Sequence, residues 1–409
     1  MNASAVVSFV VCLGAFTLIG VLSAVRRKAT ARDYLVANRA VAPWLAALSA
    51  VATNNSGFMF IGLVGFTYRV GFQAVWISAG WVVGDLLAWL FVYRRVRRIS
   101  GRLDLNSLPA LLGTGDARTV RPVVVLAGLL TFVFLGAYAA AQLEAGSAAL
   151  QSLLGWPAWS GVVLGAAIVV AYCFAGGLRA SIWTDAAQSF VMLGTMAWIL
   201  IAAADTVGGP SQLAAALASQ DPALARWVPA ELAFGLPLYA LGFVVGGFGV
   251  IGQPHIVIRA MSLNRPEDVS RARLYYFLWF VPFTFASFAV GLYARALLPE
   301  LTEVASAGLS PEQIELARVQ ASERALPELA QLLLPDLWLG LALAGLFAAT
   351  ISTADSQVLA CSAAITQDAL PRLRRSYLAS KLSTLAVAAL ALGIALTAGR
   401  GVFSLVLVA

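Results

Sequence analysis

Apolar runs recur along the whole chain, and each is about 20 residues long, the length of helix that spans a bilayer. Inside lipid the backbone must satisfy its own hydrogen bonds, so such runs form helices. Only 11% of the 409 residues are charged, and the mean hydropathy is +0.85. A soluble domain has roughly a quarter of its residues charged. We therefore predict an all-α polytopic membrane protein whose main partner is the lipid bilayer.

The runs predict ten membrane spans and a last apolar stretch that begins near Val402 and reaches the end of the chain at Ala409. We expect this stretch to be an incomplete helix, so that the chain is a fragment or continues into further helices or a signalling domain. The predicted spans are 5–25, 40–68, 73–93, 121–150, 157–176, 184–204, 234–257, 271–297, 337–366 and 378–398.

Basic residues are concentrated in alternate connections between these spans. The connections 69–72, 151–156, 205–233 and 298–336 are poor in Arg. The positive-inside rule then places the N-terminus outside, in a membrane of the bacterial inner-membrane type. It also accounts for the net charge of +7 without nucleic acid as a partner. The basic residues predicted to lie in inside loops are Arg26, Arg27, Lys28, Arg32, Arg94, Arg95, Arg97, Arg98, Arg102, Arg179, Arg259, Arg265, Arg271, Arg273, Arg372, Arg374, Arg375 and Lys381.

Two spans carry polar or helix-breaking residues at membrane depth. They are the segments 52–57 (ATNNSG) and 246–255 (GGFGVIGQPH). Such residues are expensive in lipid unless they line a cavity. Secondary transporters place broken helices of this kind at matching positions of two inverted repeats, with solute and ion between them. Flexible kinks or small-residue packing faces are the alternative, but two breaks in opposite orientation favour a binding site.

The two breaks also define the predicted organisation of the chain. An accessory helix and inside loop occupy residues 1–38, and a first five-helix repeat follows over 39–204. An outside loop at 205–233 leads to a second repeat over 234–409. In the long outside loop 298–336, the segment Ser310-Pro311-Glu312-Gln313 predicts a capped helix over 311–325.

A third polar element lies at 348–357 (AATISTADSQ). Ser352 and Thr353 offer adjacent hydroxyl oxygens of the kind that hard cations prefer. Hydroxyls in membrane helices usually bond back to their own helix, which is the alternative here. Asp355 is a functional candidate because it is ionisable at membrane depth; it could instead belong to an inner gate or a structural pair.

Other functional classes have little support. The chain has one histidine, His255, and three cysteines without metal-ligand spacing. It contains no nucleophile–base set and no phosphate-binding loop, so we predict that it is not an enzyme. The sequence does not predict the oligomeric state.

Four segments together resemble the sodium/solute symporter family, most closely its sodium/proline branch. They are the segments 48–57, 183–185 and 252–255, and the pair Ser352-Thr353 followed by Gln357. The resemblance covers nearly the whole chain. It implies a leucine-transporter-type fold of two inverted five-helix repeats, with one extra N-terminal helix and a last core helix cut short.

The resemblance also implies site residues. The coupling ion would be Na⁺, held by the carbonyls of Ala52, Asn55 and Ala349 and by the hydroxyls of Ser352 and Thr353. Arg39 and Asp185 match charged positions used for coupling or gating, and Tyr138 matches an aromatic on the solute side. The full set of candidates for solute contact or coupling is Asn54, Ser56, Gly57, Tyr138, Gln253, Pro254, Arg39, Asp185 and Asp355.

Two departures from the sodium/proline pattern affect these expectations. Asn54 stands where that branch carries an aspartate near the ion, so it brings an amide oxygen without a charge. Gly246 and Val250 stand where aromatic residues are expected above Pro254, so the solute pocket has a different shape.

These observations predict a sodium-coupled secondary transporter that imports a small organic solute, an amino acid such as proline or a carboxylate, by alternating access. The alternatives are the sensor region of a signalling kinase and a proton-coupled transporter.

Overall fold

The computed structural model describes residues 3–303 and 310–397. This part of the chain has no β-strand, only two isolated bridges, Val41 with Leu263 and Thr114 with Thr119. The predicted last core helix lies outside the described residues. The helices are α1 (Ala3–Ser23), α2 (Ala31–Val36), α3 (Pro43–Gly57), α4 (Leu63–Val70), α5 (Val75–Phe91), α6 (Tyr93–Arg102), α7 (Leu108–Gly113), α8 (Arg121–Leu154), α9 (Ala158–Gly176), α10 (Leu178–Val207), α11 (Pro210–Gln220), α12 (Gly235–Phe248), α13 (Pro254–Ser262), α14 (Asp268–Leu297), α15 (Pro311–Ser322), α16 (Ala325–Leu333), α17 (Asp336–Ala363) and α18 (Tyr377–Thr397).

Nine helical stretches among the described residues are long and apolar enough to cross a membrane. The longest, Pro43–Arg102, covers most of the second predicted span and all of the third, so each of the ten predicted spans overlaps one of the nine stretches. The prediction of an all-α membrane protein is confirmed.

Helix α17 lies at the centre of the molecule. It packs against α1, α3, α8 and α10. In the stretch Asp336–Ala369, 78% of the most apolar window is buried by other protein, against 6% in Gly235–Gly252. The polar residues of α17 therefore lie within the protein and not against lipid.

The first predicted break falls at the end of α3. Ser56 adopts φ 45° and ψ −176°, a conformation that is uncommon for any residue other than glycine. A π-helical turn, Phe58–Gly62, then leads into α4. The helix axis is thus interrupted inside the span, as the polar segment predicts.

The second predicted break separates α12 from α13. A 3-10 turn, Gly249–Gly252, follows α12, and Gln253 is extended with φ −95° and ψ 98°. Pro254 then occupies the first turn of α13, where its missing N–H leaves no helical bond unmade.

Two of the basic residues predicted to lie in inside loops lie in helices and are buried, and the side of the membrane that they face stays a prediction. Arg97 lies in α6; its Nε donates to the Leu263 carbonyl at 2.6 Å and its Nη2 to the Asn264 carbonyl at 2.8 Å. Arg259 lies in α13 with 1% of its surface exposed. A guanidinium tolerates burial where carbonyl or carboxylate oxygens satisfy its donors. The charge pattern of a sequence does not reveal such partners.

The helix predicted within the connection 298–336 is confirmed as α15. Ser310 is its N-cap, and the reciprocal bonds between Ser310 and Gln313 form a capping box. The helix ends at Ser322, three residues before the predicted end at 325.

Candidate functional site

Two hydroxyl groups of α17 face the last turns of α3. Ser352 Oγ lies 3.2 Å from the carbonyl oxygen of Ala52 and 3.1 Å from that of Ala349. Thr353 Oγ1 lies 3.0 Å from the carbonyl oxygen of Thr53 and 3.1 Å from that of Ala349. All five residues are buried. Four of the five predicted ion ligands therefore meet at one point between two helices.

The oxygen count at this point fits a small hard cation. Each hydroxyl has one hydrogen but two carbonyl oxygens within reach, so it cannot satisfy both. The site concentrates three carbonyl and two hydroxyl oxygens, the ligand type that hard cations prefer. The residues present are compatible with Na⁺.

Asn55, the fifth predicted ligand, lies in the same turn of α3. Its carbonyl accepts a hydrogen bond from the Phe58 N–H, and its Nδ2 donates to the Val51 carbonyl at 2.7 Å. Its Oδ1 is buried without a hydrogen-bond partner. This side-chain oxygen, next to the break at Ser56, is a further hydrogen-bond acceptor in α3 without a donor.

Asn54 turns away from Ser352 and Thr353. Its Nδ2 donates to the Tyr276 hydroxyl at 2.7 Å and lies 3.4 Å from Asp85 Oδ2. The predicted coupling residue thus contacts a buried carboxyl group of α5.

The predicted solute residues lie at the two breaks. The Tyr138 hydroxyl of α8 is 3.4 Å from Ser56 Oγ, and its ring meets the His255 ring edge-on with centroids 6.4 Å apart. Gln253 and Pro254 form the junction that precedes His255. Tyr138 therefore contacts both broken helices.

Gly57 occupies a narrow space between α8 and α17. Its N–H donates to Gln142 Oε1 at 3.2 Å. A Cβ at this position would lie 2.9 Å from Thr350 Cγ2 and 3.3 Å from Gln142 Oε1. Because glycine has no side chain, α3 can approach both α8 and α17 closely at this position.

Asp185, predicted as a coupling or gating residue, pairs with Arg259 in a buried network. Its Oδ2 lies 3.1 Å from Arg259 Nη2 and accepts from the Ser49 hydroxyl at 2.6 Å. Arg259 Nε also donates to Ser49 Oγ at 3.0 Å, and Nη2 donates to Ser181 Oγ at 2.9 Å. The guanidinium ties α13 to α3 and α10.

Asp355 belongs to the same network, which supports its alternative assignment to a gate or structural pair. Its Oδ2 accepts from the Tyr172 hydroxyl at 2.6 Å, and its Oδ1 accepts from Ser356 at 2.7 Å and Ser181 at 3.1 Å. Arg259 in turn donates to Ser356 Oγ. Among the described residues the network holds two carboxyl groups and one guanidinium.

Arg39 lies apart from this network, in a strained turn before α3. Residues 37–39 all have positive φ, 47°, 53° and 53°. The buried Arg39 guanidinium donates to Asp104 Oδ1 at 2.7 Å and to the Leu105 carbonyl at 2.8 Å. Its hydrogen bond lowers the pKa of the Asp104 carboxyl. Arg39 thus joins the entrance of the first broken helix to the connection that follows α6.

Sequence reasoning missed several polar residues that complete these sites. Asp85 carried a usable signal, because it is an ionisable residue inside an apolar run. Arg259 carried none, since a basic residue near the end of a span matches a loop charge. The residues missed are Asp85, Gln142, Tyr172, Ser181, Arg259 and Tyr276.

The sequence model of the sodium:solute symporter family matches residues 34–409. The chain belongs to the sodium:solute symporter family. It is an integral membrane protein that couples the transport of a small-molecule solute to Na⁺, as the sequence predicts.

Two curated relatives of this symporter are bacterial transporters. The sodium/proline symporter of Haemophilus influenzae is 28% identical over 98% of this chain and 79% of its own length. The high-affinity proline transporter PutP of Bacillus subtilis is 26% identical over 94% of this chain and 79% of its own length.

A solved structure shares the fold of this symporter. It is the substrate-bound, outward-open state of a Na⁺-coupled sialic acid symporter, with a TM-score of 0.82 and 20% identity. The match covers 98% of this chain and 84% of that one. The predicted leucine-transporter-type fold is confirmed.

Proposed function

We propose that this symporter imports an amino acid, with proline as the first candidate, or a small carboxylate, by alternating access. The observation that carries the proposal is the position of the Ser352 and Thr353 hydroxyls against the carbonyls of α3. A cation held there would bridge a helix of the first repeat and a helix of the second. The names of the curated relatives support proline as the first solute to test.

The proposed ion site consists of the carbonyls of Ala52, Asn55 and Ala349 and the hydroxyls of Ser352 and Thr353. Bound Na⁺ would supply positive charge that compensates the excess of oxygen lone pairs. The protein's part is to hold α3 against α17 so that these oxygens converge. Ion binding therefore favours the arrangement in which the two helices touch.

The proposed solute site lies at the two breaks. Backbone groups freed from helical bonding near Ser56, Gly57, Gln253 and Pro254 would contact the solute, and Tyr138 would close over it. Solute and sodium then favour the same arrangement, so each raises the affinity for the other.

The proposed coupling residues lie on two sides of this site. Asn54 faces Asp85, and Asp185 pairs with Arg259. Asp355 is linked to Arg259 through the hydroxyls of Ser181 and Ser356. Arg39 fixes the turn at the entrance of α3. If the Arg259 contacts broke, α13 could move relative to α3 and α10. Alternating access requires a movement of this kind.

The domain organisation belongs to the same proposal. Residues 1–38 form the accessory segment, 39–204 and 234–409 the two repeats, and 205–233 the outside loop. The N-terminus faces the outside of a bacterial-type inner membrane.

Uptake by proteoliposomes containing the full chain tests the proposal. Radiolabelled proline, other amino acids and small carboxylates would be offered with an inward sodium gradient, and separately with an inward proton gradient without sodium. We expect accumulation of one solute class with the sodium gradient alone. Uptake driven by the proton gradient in the absence of sodium, or no uptake of any of these solutes, would contradict it.

A further inference from the structure

Asp85 is a buried carboxyl group in the apolar helix α5, and only 2% of its surface is exposed. Its Oδ2 accepts from the Tyr276 hydroxyl at 2.5 Å and lies 3.4 Å from Asn54 Nδ2. Its Oδ1 is buried and has no hydrogen-bond partner. Oδ2 of the carboxyl group is thus hydrogen-bonded, and Oδ1 is not.

The side chains that contact Asp85 bring no compensating charge, since the arginines of α6 and α14 form no ion pair with it. Helix α14 contributes the Tyr276 hydroxyl, α6 contributes Tyr93, whose buried hydroxyl has no partner, and α3 contributes the Asn54 amide. The titratable residue of α12, Tyr239, packs edge-on against Phe243 of its own helix. No ion pair in the described part of the chain includes Asp85.

A proton fits this site better than a metal ion does. An ionised carboxylate buried without a cation is strongly disfavoured. A sodium ion needs several oxygen ligands, whereas both neighbours of Oδ2 present hydrogens to it. A single proton on Oδ1 removes the charge and leaves the two bonds to Oδ2 intact.

We propose that Asp85 binds and releases a proton at Oδ1, and that this proton is linked to sodium binding through Asn54. The O–H bond forms with a proton from water; when sodium binds, the bond breaks and the proton returns to water. Asn54 makes this link because it contacts Asp85 and lies in α3 between Ala52 and Asn55, two residues of the proposed sodium site. The linkage rests on the proposed sodium site.

The sign of the linkage follows from charge. Ionised Asp85 places a negative charge near the bound cation, so sodium binds more tightly when the proton is absent. The half-saturating sodium concentration should therefore rise as pH falls. We expect a rise of about fivefold or more from mildly alkaline to mildly acidic pH, the usual size of a coupling between two sites.

Sodium titrations of the purified full chain in lipid nanodiscs measure this linkage. Tryptophan fluorescence is a suitable readout because the Trp89 ring lies 5.0 Å from the Tyr276 ring. In Asp85→Asn, which keeps the shape of the protonated group, the half-saturating concentration should be independent of pH and close to the acidic value of the wild type.

Two further variants sharpen the test. Tyr276→Phe removes one donor to Oδ2 and so disfavours the ionised form; the pH response should persist and move to higher pH. Asp116→Asn makes the same chemical change at an exposed carboxylate paired with Arg102, and it should behave as the wild type.

Infrared difference spectra recorded at different pH values, without sodium or solute, test whether Asp85 carries a proton. The wild type should lose a buried carboxylic-acid C=O band as pH rises, and Asp85→Asn should lack that band. Absence of an Asp85-dependent band, or a wild-type pH response of sodium binding in Asp85→Asn, would overturn the proposal. A normal band with no sodium response at any pH would instead show that the sodium site is wrong and that the linkage fails with it.

Discussion

At the scale of single residues, Arg259 lies at the centre of a buried hydrogen-bond network. Its guanidinium contacts the carboxyl group of Asp185 and hydroxyl groups from α3, α10 and α17. Charges this deeply buried persist only when their donors and acceptors are matched. Removing the cation alone leaves two carboxyl groups without compensation.

We expect Arg259→Met to lower the free energy of unfolding by about 3–5 kcal/mol, the usual cost of breaking a buried ion pair. Asp185→Asn in the same chain should recover part of the loss. Denaturant unfolding of the purified proteins in detergent measures both. Arg102→Met removes an exposed arginine paired with Asp116 and should change stability by less than about 1 kcal/mol. Equal effects of the two arginine changes would refute the role given to the network.

At the scale of the helices, the close approach of α3, α8 and α17 depends on the small size of Gly57. The methyl group of Thr350 sets the limit, since it is the atom that a Cβ at position 57 would meet first. The break at Ser56 and the packing of α3 are therefore linked, because Gly57, the residue after the break, must also fit against α17.

Gly57→Ala should impair transport by pushing α3 away from the hydroxyls of α17. Thr350→Ser removes the methyl group but keeps the hydroxyl that bonds to the Phe347 carbonyl. Sodium-driven uptake in proteoliposomes should therefore be restored, at least in part, by combining Gly57→Ala with Thr350→Ser. Failure of the second change to restore any uptake would show that the contact with Thr350 is not the limiting one.

The membrane-spanning helices and their breaks were predictable because each has a local signal, whereas the short helices α2, α7, α11 and α16 were not predicted. Apolar runs of bilayer length mark the spans, and polar segments at 52–57 and 246–255 mark the breaks. The network around Arg259 was not predictable, because its members come from α3, α9, α10, α13 and α17 and their side chains meet only in the folded chain. Asn54 shows the same limit, since its contact with Asp85 depends on how α3 packs against α5.

At the scale of the whole molecule, the alternation of basic connections predicts which side of the membrane each loop faces. Glu312 of α15 and Arg375, before α18, are both exposed and lie on opposite sides in this scheme. Among the described cysteines, Cys173 and Cys361 are buried and Cys12 is partly buried.

Single cysteines test this topology. With Cys12, Cys173 and Cys361 replaced by Ser, Glu312→Cys should react with a membrane-impermeant maleimide added to intact cells. Arg375→Cys should react only after the membrane is opened. The reverse pattern would place the N-terminus inside.

The central claim is that the hydroxyls of Ser352 and Thr353 help to hold the coupling sodium ion. The direct measurement is the sodium dependence of solute uptake by proteoliposomes that contain Ser352→Ala combined with Thr353→Ala. Thr17→Ala combined with Thr206→Ala is the matched control, because both of those hydroxyls bond back to their own helices. We predict that the first pair raises the half-maximal sodium concentration about tenfold or more, equivalent to about 1.4 kcal/mol, and that the control pair leaves it unchanged. An unchanged sodium dependence in the variant lacking Ser352 and Thr353 hydroxyls would contradict the account.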